Sequence, residues 1–155
     1  MADMVFIERT LTSPLLESAR HFPAVLVTGP RQVGKTTLLE HCLASRDVKH
    51  VSLDSIPDRE LASRDPALFL QRYPPPVLID EVQYAPALFP YLKIEADRRR
   101  TGGLFWLTGS QQFELIRDVG RTSRNFEAAG PVASRVGRKE AGAAVLAHRR
   151  SLEQR

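Results

Sequence analysis

Short apolar runs alternate along the chain with longer stretches whose apolar residues recur at helical spacing, which predicts an α/β architecture. Ala24-Val25-Leu26-Val27-Thr28 is apolar and β-branched, as a strand buried on both faces should be. Behind it, Leu38, Leu39, Cys42 and Leu43 share one face of a helix from about Thr36 to Ala44. Val48 to Asp54 reads as a second strand, with Val51 and Leu53 on one face. Pro57 to Arg64 and Pro66 to Arg72 read as short helices packed through Leu61, Leu68, Phe69 and Leu70, the second opened by Asp65-Pro66. Tyr73-Pro74-Pro75-Pro76 stops them and leads into the strand Val77-Leu78-Ile79-Asp80-Glu81. A helix from Pro86 to Arg100 follows, with Leu88, Phe89, Leu92 and Ile94 on its apolar side, and Thr101-Gly102-Gly103 closes it. Leu104 to Thr108 is a further buried strand, and Gln111 to Asp118 reads as helix. Upstream, Ile7, Leu11, Leu15 and Leu16 mark two short helices or one broken at Thr12-Ser13-Pro14.

Between the first strand and its helix stands Gly29-Pro30-Arg31-Gln32-Val33-Gly34-Lys35-Thr36, which fits G-x-x-x-x-G-K-[ST] at every fixed position. Gly29 and Gly34 allow a backbone that a Cβ would block, so successive amides can turn inward around a phosphate. The positive end of the helix dipole adds to the same point. In this arrangement Lys35 reaches the β and γ phosphates, Thr36 offers a hydroxyl to Mg²⁺, and Thr37 is placed to contact the α phosphate. The nucleotide expected is ATP.

Asp80 and Glu81 end a strand of three apolar residues, the pattern called Walker B. In an open parallel sheet ligands collect at the carboxyl ends of strands, which brings these acids to the same edge as the phosphate loop. Asp80 is then expected to organise Mg²⁺, and Glu81 to orient and polarise the attacking water. Thr108 and Ser110, at the end of the Leu104 strand, are candidates to touch the γ phosphate or that water, against the plainer reading of a helix cap. His21 and the run Arg98-Arg99-Arg100 read as solvated, and Trp106 as core.

A chain of 155 residues with 43% hydrophobic and 26% charged residues suits a globular protein with a real core. No apolar run approaches the roughly 20 residues of a membrane span, and the N-terminus lacks the plan of a signal peptide, which places the expected compartment in the cytoplasm. The single cysteine, Cys42, leaves no intramolecular disulfide and no multi-cysteine zinc site. Although the net charge is +4, Arg121, Arg124, Arg135, Arg138, Lys139, Arg149, Arg150 and Arg155 face only Glu127, Glu140 and Glu153 after residue 118. The basic character therefore belongs to the tail, which shows no sustained period apart from a weak helical one from Arg138 to Glu153 and is rich in Ala, Gly and Arg. Such a tail gives nucleic-acid association as an alternative function.

Taken together, Gly29 to Leu39, Asp80 to Gln83 and Leu107 to Gln111 resemble the GPRQVGKTTLL, DEVQ and LTGSQ motifs of a prokaryotic family of AAA+ type ATPases. Phe22-Pro23, Ser52-Leu53-Asp54, Asp65-Pro66 and Ala85 to Phe89 match as well, over about Ile7 to Val119. The resemblance implies a three-layer P-loop NTPase core of the ASCE class with parallel strand order 5-1-4-3-2, and ATP hydrolysis. It implies that the loop residues Gly29, Pro30, Arg31, Gln32, Val33, Gly34, Lys35, Thr36 and Thr37 hold nucleotide, that Thr36 and Asp80 hold Mg²⁺, and that Lys35, Glu81 and Ser110 carry the chemistry. Assembly with further copies of the chain stays open. In that family a nuclease-like domain usually follows, whereas here the sequence departs after Asp118. The division expected is a core over 1–118 and a poorly folded tail over 119–155, with the fifth strand missing or degenerate and the chain truncated or frameshifted. The Arg of the Ala-Gly-Arg segment that precedes that strand in the family is then absent, with Arg117, Arg121 and Arg124 as substitutes outside any recognisable context. A nucleotide-binding remnant without turnover is the second reading.

Overall fold

The computed structural model describes residues 3–29, 34–110, 126–133 and 142–148, with side chains in the first two segments from residue 12 onward. The chain opens with α1 (Asp3–His21), one continuous helix that carries Pro14 inside it. The break predicted at Thr12-Ser13-Pro14 does not occur. Then come β1 (Ala24–Gly29), α2 (Lys35–Leu43) and β2 (Lys49–Ser52). Next are α3 (Ile56–Arg64), α4 (Pro66–Arg72) and β3 (Val77–Asp80). Two 3₁₀ turns, Val82–Tyr84 and Pro86–Leu88, precede α5 (Phe89–Arg99), so the helix predicted from Pro86 starts three residues late. The last strand of the core is β4 (Phe105–Ser110).

The four strands form one sheet in the order β1-β4-β3-β2, all parallel. Alternate side chains divide between its faces. Val25, Val27, Leu78 and Trp106 pack with Leu15 and Ala19 of α1 and with Leu38, Leu39, Cys42 and Leu43 of α2. Leu26, Val51, Val77, Ile79, Phe105 and Leu107 face Phe69 of α4 and Phe89 and Leu92 of α5. Helices thus cover both faces, which is why the strands read as continuous apolar runs.

Two predicted packing positions lie outside this core. Leu68 is 47% exposed and Ile94 61%, although both fit a helical period. A periodic pattern fixes the apolar face only to within about one residue, and each of these sits at its margin. Where α4 begins, Asp65 accepts from the Leu68 amide at 2.9 Å, the cap its Asp-Pro start signal predicts. The Tyr73 hydroxyl after α4 donates to Asp58 of α3 at 2.7 Å, and this bond holds the Asp58 carboxyl below its ordinary value and raises the Tyr73 phenol.

The turn into β4 passes against the end of α1. A Cβ built on Gly102 would lie well inside contact distance of the Ala19 carbonyl oxygen and 2.6 Å from that of Arg20. Both obstacles are backbone, so Gly102→Ala is expected to lower stability by about 1–3 kcal/mol. A denaturant midpoint unchanged from wild type would refute this close approach.

In the tail, β5 (Phe126–Ala133) and β6 (Gly142–His148) form an antiparallel pair, and β6 lies close to β1 without joining its hydrogen-bonded ladder. The weak helical period from Arg138 to Glu153 is not what forms over 142–148, which is strand, and Ala and Gly carry little strand signal in sequence. The predicted helix over 111–118 lies outside the described residues. Among the described residues no helix is long and apolar enough to cross a membrane.

Candidate functional site

Every strand of the sheet ends at the same edge, and the chemistry-bearing residues collect there. Gly29 closes β1 opposite Ser110 of β4, and Ser52 closes β2 opposite Asp80 of β3. The loop residues Pro30, Arg31, Gln32 and Val33 lie outside the described residues, as do Arg117, Arg121 and Arg124. Gly34 takes φ 79° and ψ 24°, a left-handed conformation that glycine adopts at little cost. It stands immediately before α2, whose first intrahelical bond runs from the Leu38 amide to the Gly34 carbonyl at 2.9 Å. The amides of Lys35, Thr36 and Thr37 precede that bond and so have no acceptor within the helix.

Lys35 is buried, and its ammonium donates to the Gly29 carbonyl at 3.0 Å. A charged amine is costly to bury unless polar groups receive it, and this carbonyl is the loop's own first residue. Thr37 is exposed beside it.

Three hydroxyls converge on the Asp80 carboxylate. Thr36 of α2 donates to Oδ1 at 2.5 Å, Thr108 of β4 donates to the same oxygen, and Ser52 of β2 lies 3.4 Å from Oδ2. Thr108 is fully buried, and its hydroxyl also accepts from the Glu81 amide at 3.0 Å. It therefore fixes the carboxylate of one acid and the backbone of the next. As a candidate for direct phosphate contact Thr108 faces inward instead, toward Asp80.

Glu81 leaves the strand with φ 56° and ψ 46°, an uncommon conformation for a residue with a side chain. Its carboxylate accepts from the Gln83 amide nitrogen, which also donates to the Ser110 hydroxyl at 3.0 Å. Ser52 and Gln83 lie in the matched segments Ser52-Leu53-Asp54 and Asp80 to Gln83, but the sequence assigns neither a role. The register of β2 on β3 brings Ser52 in, and the 3₁₀ turn after Glu81 brings in Gln83, and neither follows from a local pattern.

The donors suit a hard cation such as Mg²⁺, because Asp80 and Thr36 offer only oxygen. Thr36 gives its proton to Asp80, which leaves the hydroxyl lone pairs for a metal. Among the described residues no group of three or more His, Cys, Asp or Glu is assembled to hold a metal alone.

A parallel sheet of order β1-β4-β3-β2, with a strand-loop-helix at β1 and an acid pair at β3, is a P-loop NTPase fold of the AAA+ type. The chain belongs to the AAA domain family, whose profile matches residues 21–125. It is 36% identical over 114 residues to two uncharacterized mycobacterial proteins, Rv2008c of Mycobacterium tuberculosis and Mb2031c of Mycobacterium bovis. Each match covers 72% of this chain and 25% of the relative, so the chain spans about a quarter of those proteins' length. Among solved structures it is similar to the RuvB Holliday junction branch migration motor of Thermotoga maritima. That structure has a TM-score of 0.42 at 22% identity, covering 66% of this chain and 37% of RuvB. A point mutant of the same RuvB gives a TM-score of 0.43 at 20% identity, covering 70% and 39%.

Proposed function

We propose that this chain binds ATP with Mg²⁺ in the cytoplasm and hydrolyses it to ADP and phosphate. The observation that carries the reading is the Asp80 carboxylate collecting hydroxyls from α2, β2 and β4 at the edge where Lys35 and Gly34 stand. An isolated acidic strand end would need no such convergence. Here it ties the helix that follows the phosphate loop to the strand bearing both acids.

In this reading the amides at the start of α2 receive phosphate oxygens, aided by the helix dipole. Lys35 transfers its hydrogen bond from the Gly29 carbonyl to the β and γ phosphates, and Thr37 lies beside the α phosphate. Thr36 and Asp80 would hold the metal, which would supply charge neutralisation at the phosphates. Glu81 accepts a proton from the attacking water. The water oxygen bonds to the γ phosphorus while the bond to the bridging oxygen breaks, and the electron pair leaves on ADP. Ser110, opposite Gly29 at the end of β4, is placed to meet the γ phosphate or the water.

The test is equilibrium titration of the wild-type chain with a fluorescent ATP analogue, with and without Mg²⁺, beside release of inorganic phosphate from ATP. Mg²⁺-dependent binding with turnover is expected. Binding without phosphate release would instead favour a nucleotide-holding remnant, and no binding would defeat both.

A further inference from the structure

Gln83 occupies a place that the roles above leave unused. It sits in the 3₁₀ turn Val82–Tyr84, directly after the left-handed Glu81. Both ends of that turn are pinned. Val82 and Ala85 are fully buried, and the amides of Tyr84 and Ala85 donate to the carbonyls of Glu81 and Val82 at 3.1 Å. Arg59 lies over the Tyr84 ring, 4.1 Å from its centroid, and donates to the Leu53 carbonyl at 2.8 Å. The backbone that carries Gln83 is thus anchored to the core and to the end of β2.

From this turn the Gln83 Nε2 reaches the Glu81 carboxylate and the Ser110 hydroxyl together. The carboxylate decides which end of the amide faces it, since an oxygen there would set acceptor against acceptor. The other end, Oε1, is buried and meets no donor among the described residues. An NH₂ group has two protons, one for each of these partners. A cation in the same place would neutralise the carboxylate as well as hold it. A neutral amide holds it and leaves its charge for the water.

We propose that Gln83 is a positioning residue that ties the Glu81 carboxylate to Ser110, so that the end of β4 sets the orientation from which Glu81 acts on water. The proposal rests on the hydrolytic reading above. It assigns Gln83 a part in turnover and none in nucleotide affinity, because among the described residues its Nε2 bonds the water-activating acid and Ser110.

The test compares Gln83→Met, which keeps the length and removes the donors, with Gln83→Asn, which keeps an amide but is one methylene too short. Both are read for kcat, KM and equilibrium affinity for the fluorescent ATP analogue, alongside thermal melting. Misplacing a reacting group by about 1 Å can cost a hundredfold, so kcat is expected to fall roughly 10- to 100-fold in each. Affinity should stay within about twofold, since no interaction with bound nucleotide is removed. Adding Ser110→Ala to Gln83→Met should cost less than the two single losses combined, because both break one tie. In nucleotide-free ¹⁵N-labelled protein, the Gln83 side-chain amide pair, assigned by its loss in Gln83→Met, should shift in Glu81→Gln and in Ser110→Ala.

Unchanged or raised kcat, affinity falling in step with kcat, additive losses, or an amide pair indifferent to both partners would each overturn the proposal. A wild-type chain without turnover would defeat the function proposed above and the positioning role with it. An amide pair that still responds to both partners would then locate the failure in the activity and not in the tie.

Discussion

Lys35→Ala is expected to weaken binding of Mg²⁺-ATP by about a hundredfold or more, while the chain stays folded. The ammonium is buried at the mouth of α2, where a phosphate would receive it in place of the Gly29 carbonyl. A hydrogen bond between charged partners contributes roughly 1.5–3 kcal/mol, and removing one member of a buried charged pair costs about 3–5 kcal/mol. Through the standard relation of about 1.4 kcal/mol per tenfold, the upper part of that range puts binding beyond easy detection. Stability should respond much less, because the substitution removes a buried charge along with its hydrogen bond. Equilibrium titration with the fluorescent analogue and a thermal melt, run on the same preparation, separate the two effects. Affinity within about threefold of wild type would mean that Lys35 does not meet phosphate, and the site assignment would fall with it.

Lys35 could be singled out from sequence because its chemistry lies in one contiguous motif, where spacing alone fixes strand, loop and helix. Asp80 and Glu81 were legible for a related reason. An apolar run that ends in two acids can bury its strand and still present them at the sheet edge. What surrounds them was less legible, because it depends on which strands are neighbours. Ser52 reaches Asp80 through the pairing of β2 with β3, and Thr108 does so because β4 lies between β1 and β3. No local pattern in either segment carries that information. The left-handed backbone at Glu81 was equally hidden, since the residue is not one that favours it. Leu68 and Ile94 mark the limit of periodicity, which identifies an amphipathic helix more surely than the rotation at which it packs. The pair β5 and β6 marks another, since runs of Ala and Gly offer no alternation to read.

Glu81→Gln separates the binding half of the site from its chemistry, and phosphate release is expected to fall about 10²- to 10⁴-fold. Loss of a positioned general base has that magnitude, because the water must then give up its proton without assistance. The substituted side chain is of equal length and keeps an oxygen, so it can still accept the hydrogen bond from Gln83. The Thr108 hydroxyl also still receives the backbone amide at position 81, and Asp80 keeps its three hydroxyl neighbours. Nucleotide affinity should therefore remain within about twofold of wild type, since the interactions proposed to hold ATP are untouched. Single-turnover phosphate release at saturating Mg²⁺-ATP reads the chemical step directly, and titration of the same variant reads affinity. Phosphate release at the wild-type rate would remove Glu81 from the chemistry and with it the proposed path for the proton. A parallel collapse of affinity would indicate that the acid holds the site together, and the division of labour between Asp80 and Glu81 would have to be redrawn.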